Sequence, residues 1–172
     1  MTRRWQIIKV ELVSGRGEDL EPPPGRIFVC PTGTTFAGLA HAIDLAFARW
    51  DLAHLCEFEL ADGTVVVDDD FEAELQSSGG VARTAGLSAR VKQHLRVGER
   101  CSYVFDLGDS WTHECRVVGI DDPEDVLGMI PDAPTAFWGW GDMPDQYGRL
   151  QEEDDEPEDQ PEPRTDRGAA PL

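Results

Sequence analysis

The sequence predicts a single α+β domain with a mainly antiparallel sheet, and three observations carry that prediction. Period-two alternation occurs near both ends of the chain, one amphipathic helix lies between them, and the composition changes abruptly near residue 150. The domain is accordingly placed at residues 1–150 and an acidic tail at residues 151–172.

The elements follow in order. Ile8, Val10 and Leu12 alternate with Lys9 and Glu11, the pattern of a half-buried strand, and Glu21-Pro22-Pro23-Pro24-Gly25 then interrupts regular structure. A second strand runs from Arg26 to Cys30 and stops at Pro31. From Thr35 the period changes: Phe36, Leu39, Ala40, Ile43 and Phe47 share one helical stripe that Thr34 or Thr35 caps. The segment His54–Leu60 reads as a strand with His54, Cys56, Phe58 and Leu60 on one face. Ala61-Asp62-Gly63 turns it into a returning strand, Thr64–Val67. Residues 68–86 read as a long irregular or partly helical connection, and Leu87–Leu95 as one short helix. A last hairpin pairs Arg100–Asp106 with Trp111–Val118 around Leu107-Gly108-Asp109-Ser110. The aromatic-rich segment Phe137–Tyr147 reads as a loop that wraps the core or anchors a partner.

Charge narrows the function classes. Fifteen Lys and Arg stand against 34 Asp and Glu, a net charge of −19, so nucleic-acid phosphates and anionic membrane surfaces are repelled on average. The tail carries −7 and the body −12, so removing the tail uncovers no basic body. Nine acids and almost no large apolar side chain give the tail too little burial to offset its ordering entropy, so disorder is expected there. No stretch has the roughly 20 apolar residues of a membrane span, and Met1–Trp5 opens a strand pattern where a signal peptide would place an apolar run. The four cysteines, Cys30, Cys56, Cys101 and Cys115, form no C-x-x-C pair and are read as reduced thiols of a cytoplasmic protein.

The last hairpin carries more than a fold. Tyr103-Val104-Phe105-Asp106-Leu107-Gly108-Asp109-Ser110-Trp111-Thr112-His113 resembles the Y-x-Y-D-F-G-D-x-W-x-H signature of the plasmid pRiA4b ORF-3-like family. The opening strand, the prolines at 22–24, the helix containing His41, and Trp50 followed by His54-Leu55-Cys56-Glu57-Phe58 resemble further elements of that family in the same order. The likeness runs over residues 5–120, with an echo at Trp138–Asp142. It implies a small α+β domain of bacterial, archaeal, plasmid- or transposon-borne proteins, some labelled resolvases, with no activity attached to the domain. Cys56 stands where the family has the second His of H-L-H, and Leu107 where it has the Phe of D-F-G-D.

Four constellations are candidates for function. Asp106, Asp109 and His113 flank one turn and suit general acid/base work or oxygen ligation; the plainer reading has the carboxylates capping turn amides. His54 with Cys56 and His113 with Cys115 are i, i+2 pairs that would form a Cys₂His₂ metal site if their strands faced each other, against a plainer reading as core residues. Trp138, Trp140 and Tyr147 are candidate recognition anchors. His41 and Asp44 read as a solvent-facing pair on the helix. Asp68-Asp69-Asp70 lacks calcium-loop spacing and reads as a solvated turn. A basic cluster of Arg83, Arg90, Lys92, Arg96 and Arg100 runs against the acidic trend.

The reading that follows is a non-catalytic binding module related to mobile-element proteins, requiring no cofactor and expecting another protein as its partner. Its rivals are a metal-dependent hydrolase built on Asp106, Asp109 and His113, and an acidic DNA mimic that occupies a partner's basic groove.

Overall fold

The computed structural model describes residues 2–79 and 83–147. The tail placed at residues 151–172 and the boundary at 150 lie outside the described residues. No described helix is long and apolar enough to cross a membrane.

In chain order the elements are β1 (Trp5–Gly15), β2 (Glu18–Asp19), β3 (Gly25–Cys30), α1 (Phe36–Ala46), β4 (Cys56–Leu60), β5 (Val65–Val67), α2 (Asp69–Ser77), β6 (Thr84–Gly86), α3 (Val91–His94), β7 (Arg100–Phe105), β8 (Trp111–Asp121), α4 (Pro123–Leu127) and β9 (Thr135–Trp140). The strands form one sheet in the order β6-β5-β4-β7-β8-β1-β3-β9, with β2 attached to β1. Every pairing is antiparallel except β5 with β6. This is the α+β fold with a largely antiparallel sheet that the alternation predicts.

One face of the sheet is apolar and one is wet, which is what antiparallel sheets of alternating sequence allow. Ile8, Val10 and Leu12 of β1 and Tyr103, Phe105, His113, Cys115 and Val117 of β7 and β8 point to the core, where Phe36, Leu39, Ile43 and Phe47 of the α1 stripe meet them. The opposite face pairs Lys9 with Glu11 at 3.3 Å and Arg100 with Glu114 at 3.9 Å. Helix α1 starts where its cap requires: Thr35 Oγ1 accepts the Gly38 N–H at 3.1 Å.

Three expectations are corrected. The connection after β5 is partly helical, as expected, but Asp68-Asp69-Asp70 opens α2 instead of forming a solvated turn, with Asp68 accepting the Asp70 N–H at 3.0 Å, and residues 84–86 add a parallel edge to β5. Residues 135–140 are a strand and not a loop. Ile27 of β3 pairs with Trp138, and main-chain bonding to β3 overrides a segment that shows no alternation. Asp44 does not face solvent beside His41. It is buried and accepts the Tyr103 O–H at 2.9 Å, while His41 is exposed.

Trp111 goes inward, as its place on the His113, Cys115 and Val117 face requires. Its indole occupies the space a Cβ at position 15 would need, 2.0 Å from the nearest ring atom, so Gly15 is the residue that lets β1 pass. Trp111→Ala is expected to cost about 3–5 kcal/mol in urea unfolding, the range for large aromatic truncation in a core. Asp109→Asn is expected to be milder, because the Asp109 group that bonds Arg16 is its main-chain carbonyl, at 2.7 Å. Wild-type stability of Trp111→Ala would place the indole outside the core.

Candidate functional site

The chain brings its polar chemistry together at the end of the sheet where the β7–β8 turn, the loop after α1 and the segment after β9 meet. Asp106 opens that turn in the left-handed region, φ 58°, a conformation Asp tolerates better than most residues. Its Oδ1 accepts the main-chain N–H groups of Gly108 at 3.0 Å and Asp109 at 3.3 Å, so this carboxylate is part of the turn. Its Oδ2 lies 3.4 Å from His54 Nδ1.

His54 precedes β4 and links the turn to the rest of the site. Its Nε2 lies 2.8 Å from the Tyr147 hydroxyl and 3.4 Å from Asp51 Oδ2. Tyr147 donates its O–H to Asp51 Oδ2 at 2.8 Å. That bond holds the Asp51 carboxyl below its usual range and pushes the Tyr147 phenol up. Gln146 completes the clasp from beneath. Its Oε1 accepts the Trp50 and Asp51 N–H groups, and its amide donates to the Asp51 carbonyl at 2.9 Å. Asp51 and Gln146 were not singled out from sequence, and their signal is tertiary: residues some 95 apart in the chain satisfy one another's backbone.

His113 does not join Asp106 and Asp109. Two residues along a strand from Trp111 point the same way as Trp111, so the imidazole lies in the core with its ring 5.0 Å from that of Phe47. Its Nδ1–H donates to the Tyr103 carbonyl at 3.1 Å, and burial pulls its pKa down to about 3. The mixed His/Cys pairs do not meet either, because β7 separates β4 from β8. Cys115 lies opposite Cys101 as a free thiol hydrogen-bonded to it, which with burial drives its thiol well up; Cys56 hydrogen-bonds the Tyr103 hydroxyl. Among the described residues no three His, Cys, Asp or Glu side chains are placed to share a cation. The three aromatic candidates separate: Trp140 packs on Gly25 and donates Nε1–H to the Pro23 carbonyl, Tyr147 joins the His54 clasp, and Trp138 stays 65% exposed on edge strand β9.

Beside His54 lies a groove of about 320 Å³. Cys56, Val67 and Leu87 line it, and three large apolar side chains border it in the open: Leu55 (70% exposed), Phe71 of α2 (51%) and Leu107 of the turn (47%). The carboxylates on its lining are Glu57 and Asp68, and no Lys or Arg lines it. The sequence points at this groove only indirectly, since Leu107 and Leu55 flank motif residues without sharing a period.

A profile of the family described as plasmid pRiA4b ORF-3-like protein matches residues 7–146. Among solved structures, the crystal structure of a protein of unknown function, MM3350 from Methanosarcina mazei Go1, superimposes with a TM-score of 0.59 at 19% identity, covering 81% of this chain and 71% of that one. That likeness is one of fold. No curated protein sequence matches the chain.

Two buried groups set opposite pH dependences. Burial holds His113 neutral, so its contribution to stability is complete above its ordinary 6.5 and is lost as pH falls toward about 3. Burial raises Asp44 from 3.8 to about 7, so its contribution is complete below 3.8 and is lost as pH rises through about 7. In urea unfolding at pH 4, 5.5, 7 and 8.5, the stability of wild type relative to Asp44→Asn is expected to change little between pH 8.5 and 7 and to rise as pH falls from 7 to 4. Parallel curves would show that Asp44 titrates as an ordinary carboxylate.

Proposed function

The chain belongs to the plasmid pRiA4b ORF-3-like family, and we propose that in this member the domain is a non-catalytic binding module that docks a protein partner in the groove beside His54. The observation that carries the reading is the groove itself. Leu55, Phe71 and Leu107 stand exposed around one apolar recess, so three large apolar side chains converge on a single concave site. Burying each of them is worth roughly 1.5–3 kcal/mol, which offsets part of the cost of association and leaves the remainder to the partner's own buried side chains and charges.

The groove's chemistry selects its occupant. Glu57 and Asp68 give it an acidic rim on a chain of net charge −19, so the partner presents one or two apolar side chains flanked by Lys or Arg. The polar cluster next to it serves as scaffold. His54, Asp51, Asp106 and Tyr147 spend their hydrogen bonds on one another and on the turn, holding Leu55 and Leu107 at the groove mouth. The plasmid-borne company of the family supports a role beside mobile-element proteins.

A displayed library of random 12-residue peptides, selected on the full chain, tests this. Selected peptides are expected to carry an apolar anchor with basic flanks, and to lose at least tenfold in affinity to Leu107→Asp while Trp138→Ala leaves them unaffected. Both side chains are exposed, so the unfolding midpoints should stay near wild type. Peptides indifferent to Leu107→Asp and Leu55→Asp would overturn the reading. Turnover of a phosphodiester that vanishes in His54→Ala would replace it with a catalytic one.

A further inference from the structure

At the other end of the sheet one groove is lined by cations. A groove of about 420 Å³ gathers Arg4 from the start of the chain, Lys92 from α3 and Arg96 from the loop after it, with no acidic residue on its lining. Leu95, Val97 and Ile120 supply its apolar part, Val97 and Ile120 both well exposed. None of the three cations has an ion-pair partner among the described residues, whereas Arg83 is paired with Asp62 and Arg100 with Glu114. Acids beside the groove bond main chain: Glu99 accepts the Arg96 N–H at 2.7 Å and Asp122 accepts the Arg3 N–H at 2.7 Å. Three unpaired cations converging on an apolar surface are unexpected in a chain of net charge −19, and they repel one another unless an anion lies between them.

We propose that this groove is the docking site of the chain's own acidic segment, centred on residues 157–163. That stretch reads Pro157-Glu158-Asp159-Gln160-Pro161-Glu162-Pro163, three carboxylates interleaved with three prolines, before Arg164 and Arg167 bring in positive charge. The carboxylates match Arg4, Lys92 and Arg96, and the proline rings match the exposed Val97 and Ile120. Reach is sufficient. The described chain ends at Tyr147, beside the β7–β8 turn, and β1 runs from that end to Arg4 over 11 residues, or ~36 Å at about 3.3 Å per residue. Residues from 158 onward clear that span when extended, since 11 residues reach about 36 Å. Tethering also favours this occupant, since a covalently joined segment acts at a local concentration on the order of millimolar.

The full chain contains two lysines, Lys9 and Lys92, so zero-length carbodiimide coupling of lysine amines to carboxylates reads the contact directly. At low protein concentration, Lys92 is expected to form amide links to Glu158, Asp159 or Glu162 within the monomer, at several times the yield of any link from Lys9 to that segment. The yield should fall severalfold in 1 M NaCl and in the Arg4→Glu/Arg96→Glu variant. Glu158→Gln/Asp159→Asn/Glu162→Gln, which leaves the described body untouched, should shift coupling away from the segment even if the groove variant folds poorly. Lys92 yields no greater than those of Lys9 would overturn the proposal. So would links found only in covalent dimers, or a groove that retains a 30-base-pair duplex in wild type and loses it in Arg4→Glu/Arg96→Glu with Lys92 coupling unchanged.

Discussion

The architecture of the site end depends on one buried cation. The Arg49 guanidinium is 2% exposed, stacked 4.1 Å from the Trp111 ring centroid, and it donates to the carbonyls of Phe47 at 2.9 Å and Pro144 at 2.8 Å. Burial lowers its pKa, and Asp44 and Asp145 counter that effect. A charge taken out of water costs several kcal/mol unless its surroundings supply donors, acceptors and opposite charge, so these partners are constrained together. The C-terminus of α1 comes through Phe47, the β7–β8 hairpin through Trp111, and the segment after β9 through Pro144. Once those three are joined, Gln146 and Tyr147 fall beside Asp51 and His54, and Leu55 and Leu107 are brought to a common groove. Replacing Arg49 would therefore disturb more than one contact.

The same interaction marks the limit of what the sequence reveals. Alternation in β1, β7 and β8 and the α1 stripe are local patterns, and the structure follows them residue by residue. His113 is a case where two local signals conflict: proximity to the turn suggests a site with Asp106, but strand period assigns it to the core, and the period prevails because burial of a whole face rests on it. Asp44 was legible only as polar. Its burial follows from the Tyr103 hydroxyl 59 residues away, which no helical pattern records. The clasp of Gln146 on residues 50–51 is invisible for the same reason, as is β9, whose backbone pairing does not need alternating side chains. Alternation locates the motif's hairpin correctly, while His54, which engages Asp106 from outside it, shares no local period with Asp106.

Net charge describes the average of this chain and conceals its arrangement. An acidic rim borders the groove near His54, while Arg4, Lys92 and Arg96 stand at the far end of the sheet without an ion-pair partner among the described residues. With a screening length of about 8 Å at physiological ionic strength, the charges on each groove's own lining dominate its surface, so the two grooves can select ligands of opposite sign.

The sheet edges bear on which of these surfaces takes a partner. An exposed edge strand invites addition of another strand, and β9 with Phe137 and Trp138 in the open is the evident candidate. Its geometry opposes that use. The β3–β9 register shifts between Ile27 and Phe28, which twists the edge, and the Arg26 side chain lies across Gly139 while donating to the Trp140 carbonyl at 3.0 Å. A bulged strand bordered by a cation is a poor template for continuous pairing. The opposite edge, β6, is three residues long and carries α2 against it. With both edges blunted, recognition falls to side chains in grooves, where specificity comes from the shape of an apolar recess and the sign of its rim.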